Sequence, residues 1–233
     1  MPRESQAAKR ARAGEICKRL AEAYPDARCA LHFAGPFQLL VATILSAQCT
    51  DKMVNQVTPE LFARFPDARA MAAARPSEIE RLIQRTGFFR QKAKSILEAS
   101  RDIVERFGGK VPRTLDDLVS LHGVGRKTAN VVLGNAFEVP GLTVDTHMTR
   151  VNRRLGLTSH DDPVKIERDL MALVPEREWT LYSHRVIEHG RTCCIARRPE
   201  CERCALRELC PFPRSRAAVS ARRPAKRRSR GAR

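Results

Sequence analysis

The sequence lacks several features that mark common functional classes. It has no run of about 20 apolar residues, the length that a helix needs to cross a bilayer, and its opening residues, MPRESQAAKRAR, lack the apolar segment of a secretory signal. Neither GxSxG nor HExxH occurs, and no paired-acid motif is found. These absences argue against serine-, cysteine- or metal-assisted hydrolysis. We expect a cytoplasmic protein with no membrane partner.

Segments with the alternating pattern of β-strands are also missing. Apolar residues recur instead at three- and four-residue spacing, which is typical of amphipathic helices, and we interpret the Val-Val-Leu run within 131–137 as buried helix. At 233 residues and 42% apolar content, the chain can bury a core in one large domain or two small ones. The pattern predicts an all-α fold, with helices over 14–24, 36–48, 51–65, 90–107 and 162–173.

Acidic residues are absent from one long segment, although the rest of the chain has both signs of charge. Residues 214–233 hold nine Arg or Lys and no Asp or Glu, within a chain whose net charge is +17 and whose pI is about 10.3. The body stays basic without this tail. Clustered cations favour a polyanionic partner because binding releases counterions from phosphate. We expect the tail to be disordered and to add salt-dependent affinity for DNA.

Four of the eight cysteines are grouped near the end of the chain. They form a C-x6-C-x2-C-x5-C run at Cys194, Cys201, Cys204 and Cys210. Thiolates so close together suit a metal or cluster held on a compact loop, and the spacing alone leaves zinc and an iron–sulfur cluster open. Cys193 is left out of the ligand set, because adjacent residues do not easily bind one centre in parallel. Three more are expected to be ordinary core residues: Cys17, Cys29 and Cys49.

The segment 114–136 has the pattern of two helices joined by a tight turn. Apolar spacing over 114–121 predicts the first helix, His-Gly-Val-Gly the turn, and 126–136 the second helix. Gly123 and Gly125 would allow positive φ and a close approach of the backbone to another molecule. The unpaired N–H groups of the second helix would then face a phosphate. The alternative is an ordinary turn with glycine caps.

Lys127 and Asp145 are the two candidate catalytic residues. Lys127 falls in the first turn of the second helix, where the helix dipole and Arg126 both disfavour a positive charge, and only an uncharged lysine can act as a nucleophile. The alternative is a simple phosphate contact. Asp145 precedes a helical stretch over 146–155 and suits an N-cap. A cap and a catalytic carboxylate are compatible, because capping fixes the carboxylate in space.

The motifs LSAQCTD, LHGVGRKTANVVL, VDTHMTRV and HGRTCCIARRPECERCALRELC together resemble those of the endonuclease III family. The resemblance spans roughly residues 36–211, with the motifs in the family's order. It implies the helix-hairpin-helix glycosylase fold, in which DNA binds across a cleft between two helical domains. We expect a helical barrel domain over 31–141, an iron–sulfur domain over 1–30 plus 142–212, and the basic tail over 213–233. The four grouped cysteines would bind a [4Fe–4S] cluster.

The resemblance also implies an activity, that of a bifunctional DNA glycosylase and AP lyase of base excision repair. The substrate would be double-stranded DNA with oxidised pyrimidines or abasic sites. Lys127 would form a Schiff base with the sugar of a flipped nucleotide, and Asp145 would stabilise the developing charge and assist proton transfers. Strand nicking by β-elimination would follow. We expect a monomer associated with the bacterial nucleoid.

Further positions match the family's DNA contacts. Gln48 matches the residue inserted where a base has flipped out, and Phe88 matches a second wedge that is usually a smaller aliphatic residue. Bland alternatives are a solvated Gln48 and a buried loop anchor at Phe88. His122 replaces the proline that the family usually has before GVG, so we expect a less rigid hairpin. The predicted DNA-binding set is Gln48, Phe88, Gly123, Gly125, Arg126 and His147, with Asp51 near the pocket.

Two rival functions differ from this one in testable ways. Relatives specific for mismatched adenine or thymine usually lack lysine at the position of Lys127, and the adenine type tends to have Glu at the position of Gln48. Both residues therefore argue against a mismatch-specific relative. A non-catalytic DNA-binding iron–sulfur protein would use the hairpin only for phosphate contacts, and substitution of Lys127 discriminates that class.

Overall fold

The protein, described over residues 4–213 by a computed structural model, is built from eleven α-helices and short 3-10 turns. No strand occurs in that range, so the all-α prediction is confirmed. None of these helices is long and apolar enough to cross a membrane. The prediction of a disordered tail falls on 214–233, outside the described residues. The helices are α1 (Gln6–Ala23), α2 (Pro36–Leu45), α3 (Asp51–Arg64), α4 (Ala68–Ala72), α5 (Pro76–Ile83), α6 (Phe89–Phe107), α7 (Leu115–Val119), α8 (Arg126–Ala136), α9 (Thr146–Arg154), α10 (Pro163–Met171) and α11 (Trp179–Thr192).

Local capping explains where several helices begin. Thr50 Oγ1 accepts a hydrogen bond from Met53 N at 3.3 Å at the start of α3. Asp162 Oδ1 accepts one from Lys165 N at 2.9 Å at the start of α10. Each side chain satisfies a backbone N–H that has no partner within its helix. Helix α1 begins well before the predicted residue 14, because Ser5 Oγ caps it by accepting from Ala8 N at 3.2 Å.

The buried apolar side chains form two separate clusters. One cluster draws its members from 31–133, including Leu39, Leu61 and Ile96. The other combines α1 with 142–206, including Ile16 and Tyr182. The first element of the chain therefore packs with the last third, and α1 lies against α11. The domain limits drawn from the sequence stay a prediction, which this separation supports.

Two helices bring the predicted catalytic residues to the boundary between these clusters. Helix α8 belongs to the first cluster through Ala129, Val132 and Leu133 and packs against α2 and α7. Helix α9 belongs to the second cluster through Met148 and Val151 and packs against α11. The N-termini of α8 and α9 carry Lys127 and Asp145 respectively, so the fold places these residues on either side of one boundary.

Candidate active site and metal centre

The predicted hairpin is present between α7 and α8. Leu121 and Val124 turn inward and are buried, and Val124 N donates to Leu121 O at 3.1 Å. Thr114 Oγ1 caps α7 by accepting from Asp117 N at 3.2 Å. The exposed part of the turn therefore consists of backbone and His122, because the two large apolar side chains point into the protein.

The two hairpin glycines differ in whether the structure requires glycine at their positions, and the expectation of positive φ is met at only one of them. Gly123 has φ +73°, and an added Cβ would lie 2.7 Å from Ser95 Oγ, so this position requires glycine twice over. Gly125 has φ −91°, a value open to any residue, and a Cβ there would meet nothing within 4 Å. The expected positive φ at Gly125 is therefore wrong. What remains for Gly125 is open space at the N-terminus of α8, where another molecule can approach closely.

A hydrogen bond from its backbone holds His122 against α6. Its backbone N–H donates to Asp102 Oδ2 at 2.8 Å, a hydrogen bond that a proline at this position could not make. Arg106 donates to Ser120 O at 3.2 Å and to Ser120 Oγ at 2.7 Å. Both Asp102 and Arg106 lie on α6, so this long helix holds the turn through two side chains. The lower rigidity expected from His122 stays a prediction, and the contact between His122 and Asp102 opposes it.

Lys127 lies in the first turn of α8, exposed at the boundary between the two clusters. Its side chain has no hydrogen bond or ion pair with any residue from 4 to 213. It lines an open cleft together with Asp145 and His147, and it also borders a neighbouring pocket that contains Ser46 and Glu188. A free amine therefore faces the cleft from the helix N-terminus.

Arg126 pairs with a carboxylate from a distant part of the chain. Its Nε donates to Glu167 Oε2 at 2.6 Å and its Nη2 donates to Glu167 Oε1 at 2.9 Å. These hydrogen bonds raise the pKa of Arg126, which therefore stays charged, but the carboxylate offsets that charge. The proposed repulsion between Arg126 and Lys127 is weakened accordingly. Glu167 lies 41 residues further along the chain, and no local sequence signal identifies it as the partner.

Asp145 is both the N-cap of α9 and a member of the cleft. Its Oδ1 accepts a hydrogen bond from Met148 N at 2.8 Å, as an N-cap should. No donor among the described residues pairs with Oδ2. One carboxylate oxygen thus fixes the side chain, while the other remains available on the cleft side, where Lys127 also lies.

The cleft is lined by more cations than carboxylates. Its cationic side chains are Lys127, Arg150, Arg153, Arg154 and Arg191, and its carboxylates are Asp145 and Asp161. Arg191 Nη2 also donates to Asp51 Oδ2 at 3.0 Å, which joins the end of α11 to the start of α3 beside the cleft. The sequence analysis did not single out Arg191, although its place in the HGR segment before the cysteines is a signal. Such a cleft is suited to a phosphate-rich partner.

His147 faces α11 at the edge of this cleft. Its Nδ1 lies 3.1 Å from Arg150 Nη2, and a Cβ added at Gly190 would lie 3.0 Å from the same nitrogen. Arg150 Nη2 also donates to Gly190 O at 2.8 Å. His147 is therefore half-buried and held by its neighbours, with its ring at the rim of the cleft.

Gln48 and Phe88 are two of the three described residues other than glycine with left-handed backbone, the third being Glu138. Gln48 has φ +51° and is exposed in the turn after α2. Phe88 has φ +47°, and its side chain is 69% exposed, which rules out the buried-anchor alternative. The buried Lys92 Nζ donates to Thr86 O at 2.8 Å and fixes the loop behind Phe88. A large apolar side chain held out in solvent by strained backbone indicates an interaction site.

The four predicted ligand cysteines come together around one cavity after α11. Cys194, Cys201, Cys204 and Cys210 all line it, and Leu206 closes its inner side. The loop that carries them has only two 3-10 turns, Cys201–Arg203 and Arg207–Leu209. Four sulfur donors around one space fit a zinc ion or an iron–sulfur cluster.

Two of the sulfur atoms accept hydrogen bonds of the kind that a bound thiolate needs, whereas Cys210 Sγ donates to Arg154 O at 3.4 Å. Leu206 N donates to Cys204 Sγ at 3.4 Å, and Arg154 Nη1 donates to Cys194 Sγ at 3.3 Å. Burial raises the pKa of Cys204, and it raises the pKa of Cys210 to about 11. These thiols would hold their protons without a cation. A bound metal would convert them to thiolates, for which the N–H donors are already in place.

Cys193 lies in the wall of the same cavity, although the sequence analysis left it out of the ligand set. Its Sγ, Cys204 Sγ and a ring nitrogen of His189 all lie within 4.8 Å of one another. Burial lowers the pKa of His189 to about 4, so its ring is neutral, and Tyr24 Oη lies 2.9 Å from its Nδ1. Cys193 and His189 therefore contact the cysteine group as neighbours of a predicted ligand.

Arginine side chains attach the cysteine loop to α9. Arg154 Nη1 donates to Ile195 O at 3.0 Å, and its Nη2 donates to Ala196 O at 2.7 Å. Arg150 Nε donates to Cys194 O at 3.3 Å. Helix α9, which Asp145 caps, therefore also holds the backbone of the cysteine loop, so the group of cysteines and the cleft share one support.

Comparison with known proteins gives a consistent family assignment. The profile of the HhH-GPD superfamily base excision DNA repair protein matches residues 41–176, more than half of the chain. The endonuclease III of Synechocystis sp. is 56% identical over 206 residues, which cover 88% of this chain and 94% of that protein.

Solved structures agree with the sequence comparison. A non-covalent complex of endonuclease III with DNA matches with a TM-score of 0.84 and 40% identity, covering 90% of this chain and 98% of that one. A trapped covalent intermediate of endonuclease III and DNA also matches at 0.84, with 41% identity and coverage of 89% and 98%. Both fold and sequence place this chain in the endonuclease III family of the HhH-GPD superfamily.

Proposed function

We propose that this protein is a bifunctional DNA glycosylase and AP lyase of base excision repair, acting on oxidised pyrimidines in double-stranded DNA. The observation that carries the proposal is the pairing of an unpartnered Lys127 with Asp145 in one arginine-lined cleft. The similarity to an endonuclease III trapped covalently on DNA supports a covalent mechanism. The same similarity makes DNA with damaged bases or abasic sites the partner.

The reaction assigns one role to each residue. The neutral amine of Lys127 attacks C1′ of the flipped sugar, the bond from C1′ to the base breaks, and the base leaves with the bonding electrons and takes up a proton. Asp145 stabilises the positive charge that develops on the sugar and assists the proton transfers. Opening of the sugar ring gives an imine with Lys127. Loss of a proton from C2′ and of the 3′ phosphate then nicks the strand, and water releases the lysine.

In this proposal, DNA binds to surfaces on both sides of the cleft. We assign the α8 N-terminus, open at Gly125, to a phosphate of the damaged strand, and the cleft arginines and His147 to neighbouring phosphates. Gln48 would fill the gap left by the flipped nucleotide, and Phe88 would enter the stack as a wedge. The strong exposure of Phe88 supports this role. A bulky aromatic wedge where relatives have a smaller residue is a place to seek an altered preference for lesions.

The metal centre would be a [4Fe–4S] cluster held by Cys194, Cys201, Cys204 and Cys210. When bound, the cluster would supply a rigid framework for the surrounding loop. Arg197, Arg198 and Arg203 lie on or beside that loop and would meet the DNA backbone. The chain would act as a monomer at the bacterial nucleoid in the cytoplasm. This assignment is the proposal that the family relationship favours over zinc.

Borohydride trapping tests the proposed reaction. The protein is incubated with a duplex carrying one thymine glycol and reduced, and the covalent protein–DNA band is measured against time. Lys127→Gln removes the nucleophile and keeps a polar side chain, so the band should vanish while the dissociation constant for DNA changes little. Lys110→Gln is the matched control. Lys110 is exposed just after the C-terminus of α6, whereas Phe88 precedes the N-terminus of the same helix.

The outcomes separate the rival functions. A band in the native protein and in Lys110→Gln, but not in Lys127→Gln, supports Schiff-base chemistry at Lys127. DNA binding with no band in the native protein, on thymine glycol or on an abasic site, would favour a non-catalytic DNA-binding protein. Release of mismatched bases without a band would favour a mismatch-specific glycosylase.

A further inference from the structure

Arg126 and Glu167 form the most directional ion pair at the boundary between the two apolar clusters. Two parallel hydrogen bonds of 2.6 and 2.9 Å join the guanidinium to the carboxylate, and the Glu167 side chain is only 8% exposed. Arg126 belongs to α8 and Glu167 to α10. A bidentate pair fixes orientation as well as distance, so it locks the start of α8 against α10.

Asn130 connects this pair to the segment that leads to Asp145. Its Nδ2 donates to Glu167 Oε1 at 3.2 Å and to Leu142 O at 2.8 Å, and the residue is 5% exposed. Gly141 makes room for it, since a Cβ there would lie 3.2 Å from Asn130 Oδ1. From Leu142 the chain runs three residues to Asp145 at the start of α9.

These contacts join the supports of both candidate catalytic residues. Lys127 follows Arg126 directly, and Asn130 lies one turn further along the same face of α8. Asp145 ends the segment that Asn130 holds. Because Nε and Nη2 of Arg126 both bind Glu167, this edge of the guanidinium is not available to a phosphate. The carboxylate is buried between two donors, which is the arrangement that a charge inside a protein requires.

We propose that Arg126, Asn130 and Glu167 form a clamp that sets the position of Lys127 relative to Asp145, and that they act as positioning residues and not as DNA contacts. The inference rests on the proposed function, because it concerns the geometry of that reaction. An amine and a carboxylate carried on different helices must both reach one sugar. A displacement of about 1 Å can reduce a reaction rate about a hundredfold, so the clamp matters for the chemical step more than for binding.

The test separates the chemical step from binding. Glu167→Gln keeps the shape of the side chain and removes its charge, and Arg126→Lys keeps the charge of Arg126 but cannot form two parallel bonds. Single-turnover trapping rates, dissociation constants for the same duplex and their salt dependence are measured for both variants and for Arg126→Ala. Glu98→Gln is the control, because it makes the same change at an exposed ion pair with Arg101 on α6.

We expect the trapping rate to fall about tenfold to a hundredfold in Glu167→Gln and Arg126→Lys. The dissociation constant should stay within about twofold of that of the native protein. The salt slope should stay within about a few tenths of the native slope. A general loss of folding would lower the fraction of protein that can be trapped, but it would leave the rate constant of the folded molecules unchanged. The rate constant and the trapped fraction are therefore measured separately. Glu98→Gln should match the native protein in both.

Three results would overturn the clamp. One is an unchanged trapping rate in both clamp variants. Another is a weakened affinity in Arg126→Ala, with a salt slope shallower by about one, since that is the mark of a lost phosphate contact. The third is an equal decline in Glu98→Gln. Failure of the native protein to trap at all would instead refute the proposed function.

Discussion

The hairpin at 115–136 and the cysteine loop at 193–213 serve one cleft but are stabilised in different ways. The hairpin has two helices, a backbone hydrogen bond in its turn, two inward apolar residues and contacts from Asp102 and Arg106 on α6. The cysteine loop has two short 3-10 turns and, among its apolar side chains other than cysteine, only Leu206 fully buried. Its backbone depends on Arg150 and Arg154 from outside.

The difference shows which part of the site the polypeptide organises by itself. The hairpin satisfies its own polar groups and buries apolar surface, so it can hold Lys127 in place without a cofactor. The cysteine loop places its four predicted ligands around one cavity and buries little else. Under the proposed [4Fe–4S] assignment, its stability would come mainly from the bound cluster, as is general for small metal-binding loops.

Replacing one of the predicted cysteine ligands should have the largest effect, and that effect should fall on the cysteine loop and not on the hairpin. Cys201→Ser should lower the iron and sulfide content and expose 194–210 to proteases, while amide exchange at 118–130 stays slow. A centre present at about a thousand times its dissociation constant stabilises the fold by about 4 kcal/mol, which would be lost. Cys49→Ser, outside the loop, should change none of these. Equal proteolysis of hairpin and loop would show that the two regions are not independent.

Substituting the two hairpin glycines should sharpen the contrast within the hairpin. Gly123→Ala combines φ +73° with a Cβ 2.7 Å from Ser95 Oγ, so the free energy of unfolding should fall by about 2 kcal/mol. Gly125→Ala meets neither obstacle and should leave that free energy within about 0.5 kcal/mol, while weakening DNA binding. Chemical denaturation and DNA titration measure the two effects. Equal loss of stability would contradict the distinction.

The contact between Asp102 and the hairpin should have a smaller effect. Asp102→Ala removes the acceptor for His122 N, and we expect a loss of about 1 to 1.5 kcal/mol in the free energy of unfolding. Adding His122→Pro to Asp102→Ala should restore part of the loss, since proline leaves no N–H unpaired. Denaturant midpoints of the four proteins give the result. Additive losses in the double variant would argue against this role.

The smallest effect is expected from pH, through a contact between the hairpin and α11. His184 on α11 pairs its Nε2 with Asn135 Oδ1 on α8 at 2.7 Å, and burial lowers the pKa of His184. The unfolded chain therefore binds a proton that the folded protein does not, so stability falls as pH drops below about 6.5. One proton accounts for at most about 1.4 kcal/mol per pH unit, and we expect a fraction of that.

A variant isolates this contribution. His184→Gln should make the dependence of the unfolding free energy on pH less steep between 7 and 5.5, while the contribution of His189, whose pKa burial also lowers, stays in place. His32→Gln serves as a control at an exposed histidine. Denaturation with urea across that range measures the slope. A slope unchanged by His184→Gln would assign the acid sensitivity to other groups.

Much of the fold followed from local pattern. Helical spacing gave the main helices, because an amphipathic face repeats within the segment itself. The hairpin and the N-cap at Asp145 were predictable for the same reason: glycines, capping residues and the neighbouring helix lie within a few positions of one another. The helical assignment of 131–137 was correct up to Ala136.

The remainder depends on residues far apart in the chain. Glu167 meets Arg126 across 41 positions and Asp102 meets His122 across 20, and neither pairing has a local signature. The same limit explains why the pairing of Arg126 with Glu167 was not foreseen and why Gly125 was expected to use positive φ. Residue type was a sound guide to what each could do, but the direction of each side chain is set by tertiary packing.

The left-handed backbone at Gln48 and Phe88 has a consequence for how fast damage can be found. These conformations cost on the order of 1 kcal/mol each, and that cost is contained in the folding of the free protein. No rearrangement of these two turns is then needed at each encounter with a duplex. Under the roles proposed for Gln48 and Phe88, a search over many intact base pairs can proceed with both side chains already extended, so these two turns add no delay at an undamaged site.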